Sequence, residues 1–221
     1  MNARPRAVLF DLDGTLIDSA PDLAGAGNDM REARGLAPYP LAHYRPMVGS
    51  GARGMVGRAF GIGPQDDNFV ELRDEFLQRY EARMTRDTHV FPEVREVLDL
   101  FDANALAWGI VTNKATRFSD PLVRALGLLP RAATLVCGDT TPHSKPHPAP
   151  LLEAARRIGV SAADCMYVGD DLRDVQAGRA AGMSTVAVRW GYLGEGEAIE
   201  AWGADHLVQT PGELLNLLGM A

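Results

Sequence analysis

Two aspartates follow the first apolar run of the chain. That run is Ala7–Phe10, and the next residues are Asp11-Leu12-Asp13-Gly14-Thr15. In an extended segment, residues two apart point to the same side, so Asp11 and Asp13 predict a pair of neighbouring carboxylates. Such a pair can bind a cation, attack an electrophile or move a proton. This spacing makes the segment the first candidate for a reactive site.

Polar residues of similar kinds follow two later apolar runs. Thr112-Asn113 follow one run, and Asp170-Asp171 follow another, with Asp174 slightly beyond. Lys145 lies between these two segments. In a parallel sheet, ligands bind beyond the carboxyl ends of the strands. We therefore expect these side chains to converge on one site.

Positive charge is needed where several aspartates meet, because their like charges repel one another. Two like charges repel by about 4 kcal/mol at roughly 4 Å and an effective dielectric of about 20. Lys145 is one of only two lysines among the 22 basic residues, the other being Lys114. Its place between acidic segments indicates a role that arginine does not fill. A divalent cation is the other ordinary source of positive charge, and oxygen ligands suit Mg²⁺ rather than Zn²⁺.

Short apolar runs alternate with helical patterns, which predicts βα units and a parallel sheet. The predicted strands are Ala7–Phe10, Ala107–Thr112, Thr134–Cys137, Cys165–Val168, Thr185–Val188 and His206–Val208. The predicted helices between them are Glu93–Asn104, Phe118–Leu126, Pro148–Ile158, Leu172–Ala181 and Gly212–Leu218.

The segment from Pro21 to Arg86 interrupts this alternation. It has helical patterns without a convincing strand, and one apolar stripe recurs at helical spacing from Phe69 to Met84. We interpret it as an inserted helical domain. A set of surface helices on one large domain is the alternative.

Composition narrows the class of protein. Twenty-nine acidic and 22 basic residues give a net charge of −7, which disfavours nucleic-acid binding and a polybasic membrane anchor. Cys137 and Cys165 lie in apolar runs and are typical of the core of a reduced protein. No run approaches the roughly 18 apolar residues of a membrane span. We expect a cytoplasmic monomer or small homo-oligomer.

These segments together resemble the haloacid dehalogenase-like hydrolase superfamily, and within it the phosphoglycolate phosphatase-like group. Four motifs carry the resemblance, in the family's order: Asp11–Ser19, Val111–Asn113, Lys145-Pro146 and Val168–Asp171 with Asp174. The resemblance implies an α/β fold, with a Rossmann-like, doubly wound, mostly parallel sheet and an inserted helical cap. The core would comprise residues 1–18 and 88–221, and the cap residues 19–87.

The resemblance also implies a role for each matching residue. Asp11 would be the nucleophile that forms an aspartyl-phosphate, and Asp13 would act as acid and then as base. Thr112 would hydrogen-bond the phosphoryl group, and Lys145 would support its charge and position Asp11. Asp170 would bind Mg²⁺ together with Asp11 and the backbone carbonyl of Asp13.

Other residues would lie around this centre. Asn113 follows Thr112 directly, and Asp174 would order the Lys145 side of the site. The family commonly has serine where Asp171 stands. We interpret Asp171 as a helix N-terminal charge rather than a direct metal ligand.

The segment Gly49–Gly54 has the G-x-G-x-x-G spacing of dinucleotide-binding loops, but no buried strand precedes it. We predict a cap loop that opens a helix running through Phe60. Its amides and Arg53 are candidates for binding an anionic part of the substrate. A merely solvated arginine is the competing interpretation.

The function implied is Mg²⁺-dependent hydrolysis of a small phosphorylated metabolite. Further segments, Ser50–Phe60, Trp108–Phe118, Val168–Gly182 and Trp202–Asp205, resemble a bacterial subgroup with 2-phosphoglycolate and N-acetylmuramic acid 6-phosphate as candidate substrates. A phosphomutase would share the core motifs and stays an alternative. A phosphoacceptor signalling module also uses Asp, Thr and Lys at strand ends, but it lacks a cap. A dehalogenase does not need the acid at Asp13.

Overall fold

A six-stranded parallel sheet forms the centre of the protein, whose computed structural model describes residues 4–220. In chain order the strands are β1 (Ala7–Phe10), β2 (Ile17–Asp18), β3 (His89–Val90), β4 (Ala107–Val111), β5 (Leu135–Val136), β6 (Cys165–Gly169), β7 (Ser184–Val188) and β8 (His206–Val208). The order across the sheet is β5-β4-β1-β6-β7-β8. Because β1 lies between β4 and β6, the carboxyl ends of these three strands meet.

Helices cover both faces of this sheet. In chain order the helices of the protein are α1 (Ala20–Glu32), α2 (Leu41–Tyr44), α3 (Gly51–Phe60), α4 (Phe69–Glu81), α5 (Pro92–Ala103), α6 (Thr116–Ala125), α7 (Ala149–Ile158), α8 (Leu172–Ala180) and α9 (Gly212–Leu217), and those from α5 onward cover the sheet. Val8 and Phe10 pack in the cluster that includes α5, α6 and α9, whereas Ala7 and Leu9 pack with α7 and α8. Successive strand residues thus fill two cores, and the predicted α/β fold is confirmed.

The predicted strands of the large sheet agree with the structure to within two residues at each end. Their residues are buried on both faces, which explains the near-continuous apolar runs. The two-residue strands β2 and β3 were not predicted. They pair antiparallel, Ile17 with Val90 and Asp18 with His89, and join the two chain segments that lead into and out of the helices α1–α4.

The helices α1–α4 pack mainly on one another, and we call residues 20–81 the helical group. Their buried cluster contains the predicted stripe, with Phe69, Phe76 and Tyr80 all less than 9 % exposed. Phe118 of α6 also joins this cluster, so the helical group is packed against the rest of the protein.

The division into a core and a cap stays a prediction. The predicted core includes residues 1–3 and 221, which lie outside the described residues. Both cysteines are buried free thiols, as their apolar surroundings predict. Among residues 4–220, no helix has the length and apolar character needed to cross a bilayer.

Candidate active site

The carboxylates of Asp11, Asp170 and Asp174 meet at the carboxyl edge of the sheet. Asp11 directly follows β1, and its backbone N–H donates to the carbonyl of Val168 in β6 at 2.9 Å. Asp170 directly follows β6, and Asp174 lies in the first turn of α8. One oxygen of each of these three carboxylates lies within 4.8 Å of the others. The parallel order of β1 and β6 therefore brings together acids that are about 160 residues apart in sequence.

Lys145 is buried among these acids. Its Nζ lies 2.8 Å from Asp11 Oδ1 and 2.7 Å from Asp174 Oδ1, and its side chain is 3 % exposed. It also donates to the Val111 carbonyl at 3.1 Å and to the Tyr167 hydroxyl at 2.8 Å. Burial opposes the charge on Lys145, but Asp11 and Asp174 outweigh burial and raise its pKa. Lys145 is therefore a fixed ammonium group in the site.

Burial changes the protonation of the acids themselves. Burial raises the pKa of Asp11 to about 7, even though Lys145 lowers it, and Asp174 adds to the rise. Burial, followed by the charges of Asp11 and Asp174, raises the pKa of Asp170 well above its usual range. Without a further cation, these two carboxyl groups hold protons at a pH where an ordinary aspartate is ionised.

The residues present fit a divalent cation. When Asp11, Asp13, Asp170 and Asp174 are all ionised, Lys114 and Lys145 leave two negative charges to be balanced. The acidic groups offer oxygen ligands only. Asp174 is already bound through Oδ1 to Lys145 and through Oδ2 to the backbone N–H of Asp171. Asp11 and Asp170 are therefore better suited to hold the ion than Asp174, which orients Lys145.

Asp13 is paired with a second ammonium group, that of Lys114, whose only signal in the sequence is the scarcity of lysine. Lys114 Nζ lies 2.9 and 3.0 Å from the two oxygens of Asp13, and the hydroxyl of Ser19 donates to Asp13 Oδ1 at 2.5 Å. Burial opposes the charge on Lys114, but Asp13 and then Tyr80 raise its pKa. The rarity of lysine was the signal that could have identified Lys114.

Thr112 and Asn113 lie at the end of β4, as predicted. Thr112 is buried, and its hydroxyl accepts from the backbone N–H of Lys114 at 3.1 Å. Asn113 exchanges two hydrogen bonds with the backbone of Lys145, at 3.0 and 2.9 Å. Asn113 therefore fixes the loop that carries the buried lysine.

Asp171 begins α8, which agrees with its interpretation as a helix N-terminal charge. Its side chain accepts from the backbone N–H of Arg173, and Asp174 accepts from the backbone N–H of Asp171, so the two acids form a capping box. Burial opposes the charge of Asp171, but hydrogen bonds from Arg173 lower its pKa. The guanidinium of Arg173 also donates to the Gly49 carbonyl, which connects this turn with the helical group.

Tyr192 connects the acidic cluster with the start of the helical group. Its backbone N–H donates to Asp170 Oδ2 at 2.8 Å. Its hydroxyl accepts from the backbone N–H of Ser19 at 2.8 Å and donates to Asp18 Oδ1 at 3.0 Å. Asp18 also forms an ion pair with Arg45 of the helical group at 2.7 Å. Tyr192 could not be identified from the sequence, because no motif signals a tyrosine in a loop.

Glycines allow the loops to approach Asp170 closely. Gly14 has a φ of +88°, and a Cβ there would lie 2.3 Å from Asp170 Oδ2. A Cβ at Gly191 would lie 2.2 Å from the Cβ of Asp170. Side chains at either position would displace Asp170.

A cavity of about 350 Å³ lies between these strand ends and the helical group. Asp11, Asp13, Thr112, Lys145 and Asp170 all line it, together with Asn113 and Asp174. Of the predicted loop, Gly49, Gly51 and Ala52 reach the cavity, and the helix that follows ends at Phe60 as predicted. Arg53 is exposed and lines a separate depression with residues of the helical group, so the structure does not bring it to the cavity.

Comparisons with known proteins identify the family and the fold of the chain. Residues 8–188 match the family described as haloacid dehalogenase-like hydrolase. The chain is 42 % identical to the N-acetylmuramic acid 6-phosphate phosphatase of Pseudomonas aeruginosa, over 99 % of this chain and 96 % of that protein. It is 48 % identical to the phosphoglycolate phosphatase of Xanthomonas campestris, over 95 % of both. A crystal structure described as a predicted phosphoglycolate phosphatase from Haemophilus somnus superposes with a TM-score of 0.85 at 26 % identity, over 98 % of this chain and 99 % of that one.

The raised pKa of Asp11 predicts how stability depends on pH without metal. The folded protein favours the protonated form, so this group's contribution to stability is lost as pH rises from 3.8 to about 7. Asp11→Asn lacks this titration. We expect its free energy of unfolding, relative to wild type, to increase across that range by a few kcal/mol and then to level off.

Chemical denaturation in excess chelator, from about pH 5 to about pH 8, measures this difference. Asp67→Asn, a change of an exposed aspartate in the segment before α4, is the matched control and should show no such trend. A difference between Asp11→Asn and wild type that stays constant with pH would contradict the assigned pKa.

Proposed function

Because the chain belongs to the haloacid dehalogenase-like hydrolase family, we propose that it is a Mg²⁺-dependent phosphatase that hydrolyses a small phosphate monoester through an aspartyl-phosphate on Asp11. The single observation that carries this proposal is the arrangement of Asp11 and Asp13. They lie two residues apart and both line the cavity, and each is paired with a different lysine. One carboxyl group is thus available to attack while the other moves protons.

In the first step, a carboxylate oxygen of Asp11 forms a bond to phosphorus. The bond between phosphorus and the ester oxygen breaks, and Asp13 gives its proton to the departing alkoxide. Lys145 holds Asp11 at 2.8 Å and supplies positive charge to the phosphoryl oxygens. Thr112 lines the same cavity, and its hydroxyl donates a hydrogen bond to the phosphoryl group.

In the second step, water attacks the phosphorus of the aspartyl-phosphate. Asp13, now ionised, takes a proton from that water, and the bond between phosphorus and Asp11 breaks to release inorganic phosphate. Lys114 and Ser19 hold Asp13 in place through both steps. Splitting the displacement in two makes each barrier lower than that of direct hydrolysis.

Mg²⁺ would be held by the carboxylates of Asp11 and Asp170 and by the backbone carbonyl of Asp13. When bound, it neutralises the charge of the phosphoryl group and of the acidic cluster. The raised pKa values of Asp11 and Asp170 support this assignment, because a divalent cation removes the cause of their protonation.

The helical group, within residues 19–87, acts as the cap in this proposal and selects the substrate. Its residues line the cavity opposite the acidic cluster. The relatives named above make 2-phosphoglycolate and N-acetylmuramic acid 6-phosphate the two candidate substrates. A mutase would return the phosphoryl group to a sugar, so release of inorganic phosphate in proportion to substrate consumed separates the two activities.

Asp11→Asn should abolish turnover, because it removes the attacking oxygen. We expect kcat with any phosphate monoester to fall by at least about a thousandfold, equivalent to about 4 kcal/mol of barrier. Asp67→Asn is again the matched control. Retention of a tenth or more of wild-type kcat by Asp11→Asn would contradict the covalent mechanism.

Asp13→Asn should impair proton transfer more than phosphorus attack. An alkyl phosphate needs its departing oxygen protonated, whereas p-nitrophenolate leaves without a proton. We therefore expect about a hundredfold larger loss of single-turnover rate with an alkyl phosphate than with p-nitrophenyl phosphate. Equal losses with both substrates would assign Asp13 a role in binding or structure instead.

Removal of divalent cations should abolish activity, and added Mg²⁺ should restore it. Ca²⁺ should substitute poorly, because it accepts more ligands at longer distances than the compact cluster offers. Activity is measured as phosphate release during titration of the chelator-treated protein. Full activity in excess chelator would remove the metal from the proposal.

A further inference from the structure

One cationic side chain that lines the cavity has no part in the proposed mechanism. Four cationic side chains line it: Lys114, Lys145, Arg117 and Arg173. Three of them, all except Arg117, have acidic partners at 2.9 Å or closer. Within residues 4–220, no acidic side chain lies within ion-pair distance of Arg117. Arg117 is therefore free to bind an anionic group of a ligand.

The position of Arg117 suits a planar anion. It lies in the first turn of α6, soon after the polar end of β4, and it is exposed. Its guanidinium carbon lies 4.3 Å from the centroid of the Phe118 ring. An arginine resting on an aromatic ring keeps its N–H edge free for a bidentate bond to a carboxylate. A cation in the first turn opposes the helix dipole, so helix stability does not explain this arginine.

The rest of the cavity wall is apolar and larger than a two-carbon acid needs. The apolar side chains that line it include Leu23, Val48, Phe76, Leu77, Tyr80 and Phe118. The single methylene of 2-phosphoglycolate would leave most of this wall without contact. A sugar-sized body in a cavity of about 350 Å³ would cover it and gain the burial of apolar surface.

We infer that the preferred substrate is a sugar-sized phosphate monoester that carries a carboxylate, and that Arg117 binds this carboxylate. The inference rests on the proposed phosphatase function, because the acidic cluster must hold the phosphoryl group. It assigns the recognition of the second anion to α6, next to the helical group, rather than to Arg53 of α3.

Two sugar phosphates that differ by one lactyl group, which carries the carboxylate, test the inference. N-Acetylmuramic acid 6-phosphate carries a lactyl carboxylate, and N-acetylglucosamine 6-phosphate is the same sugar without it. Wild-type kcat/KM should be at least about tenfold higher for the first, and likewise higher than for 2-phosphoglycolate. Arg117→Gln should lose about 30-fold with the carboxylate-bearing sugar, equivalent to about 2 kcal/mol, and less than about threefold with the other.

Arg124→Gln is the matched control on the same helix. Arg124 is exposed and paired with Asp120 at 2.9 Å, away from the cavity lining, so its substitution should leave both values unchanged. Arg53→Gln is compared in parallel. A carboxylate-specific loss in Arg53→Gln and not in Arg117→Gln would overturn the assignment of the anion to α6.

Other outcomes distinguish the remaining possibilities. Equal losses with the two sugars in Arg117→Gln would mean that Arg117 supports the phosphoryl site, and the inference would fail. A wild-type preference for 2-phosphoglycolate over both sugars would overturn the assigned substrate size. If wild-type protein releases no phosphate even from p-nitrophenyl phosphate, the proposed function itself is wrong, whatever Arg117 does.

Discussion

Buried carboxylates at one edge of a sheet can coexist only when positive charge is supplied to them. Asp11, Asp170 and Asp174 crowd together because β1 and β6 are parallel neighbours. Lys145 supplies part of this positive charge, and burial raises the pKa of Asp11 and of Asp170, which favours their protonated forms. This shortage of positive charge favours the binding of a divalent cation together with a phosphoryl group at the cluster. The fold therefore leaves an excess of negative charge at this edge of the sheet, and bound ligands would balance it.

The same edge is also connected to the helical group. Tyr192 bonds Asp170 through its backbone and the linker residues Asp18 and Ser19 through its hydroxyl. Arg173 reaches from the α8 turn to the Gly49 carbonyl on the far side of the cavity. The same hydrogen bonds therefore constrain the position of the acids and the position of the helical group on the other side of the cavity.

The structural elements that have strong local sequence patterns could be predicted from the sequence. Strands buried on both faces are continuous apolar runs, so the large sheet and the polar strand ends were identifiable. The β2–β3 ribbon was missed, because two-residue strands leave no pattern. Lys114 was noted only for its rarity, because its partner Asp13 is 101 residues away. The position of Arg53 in a glycine-rich segment indicated an anion site at the cavity. Arg53 lies on another face of α3, because the packing of that helix is not encoded in the local sequence pattern.

The distribution of lysine has a chemical consequence outside catalysis. Both lysines of the chain line the active-site cavity, and both are held as ammonium ions by raised pKa values. Acylating reagents attack the neutral amine, so these two groups are poor targets while their aspartate partners remain in place. Among residues 4–220, a lysine-directed label would therefore report opening of the cavity rather than surface exposure.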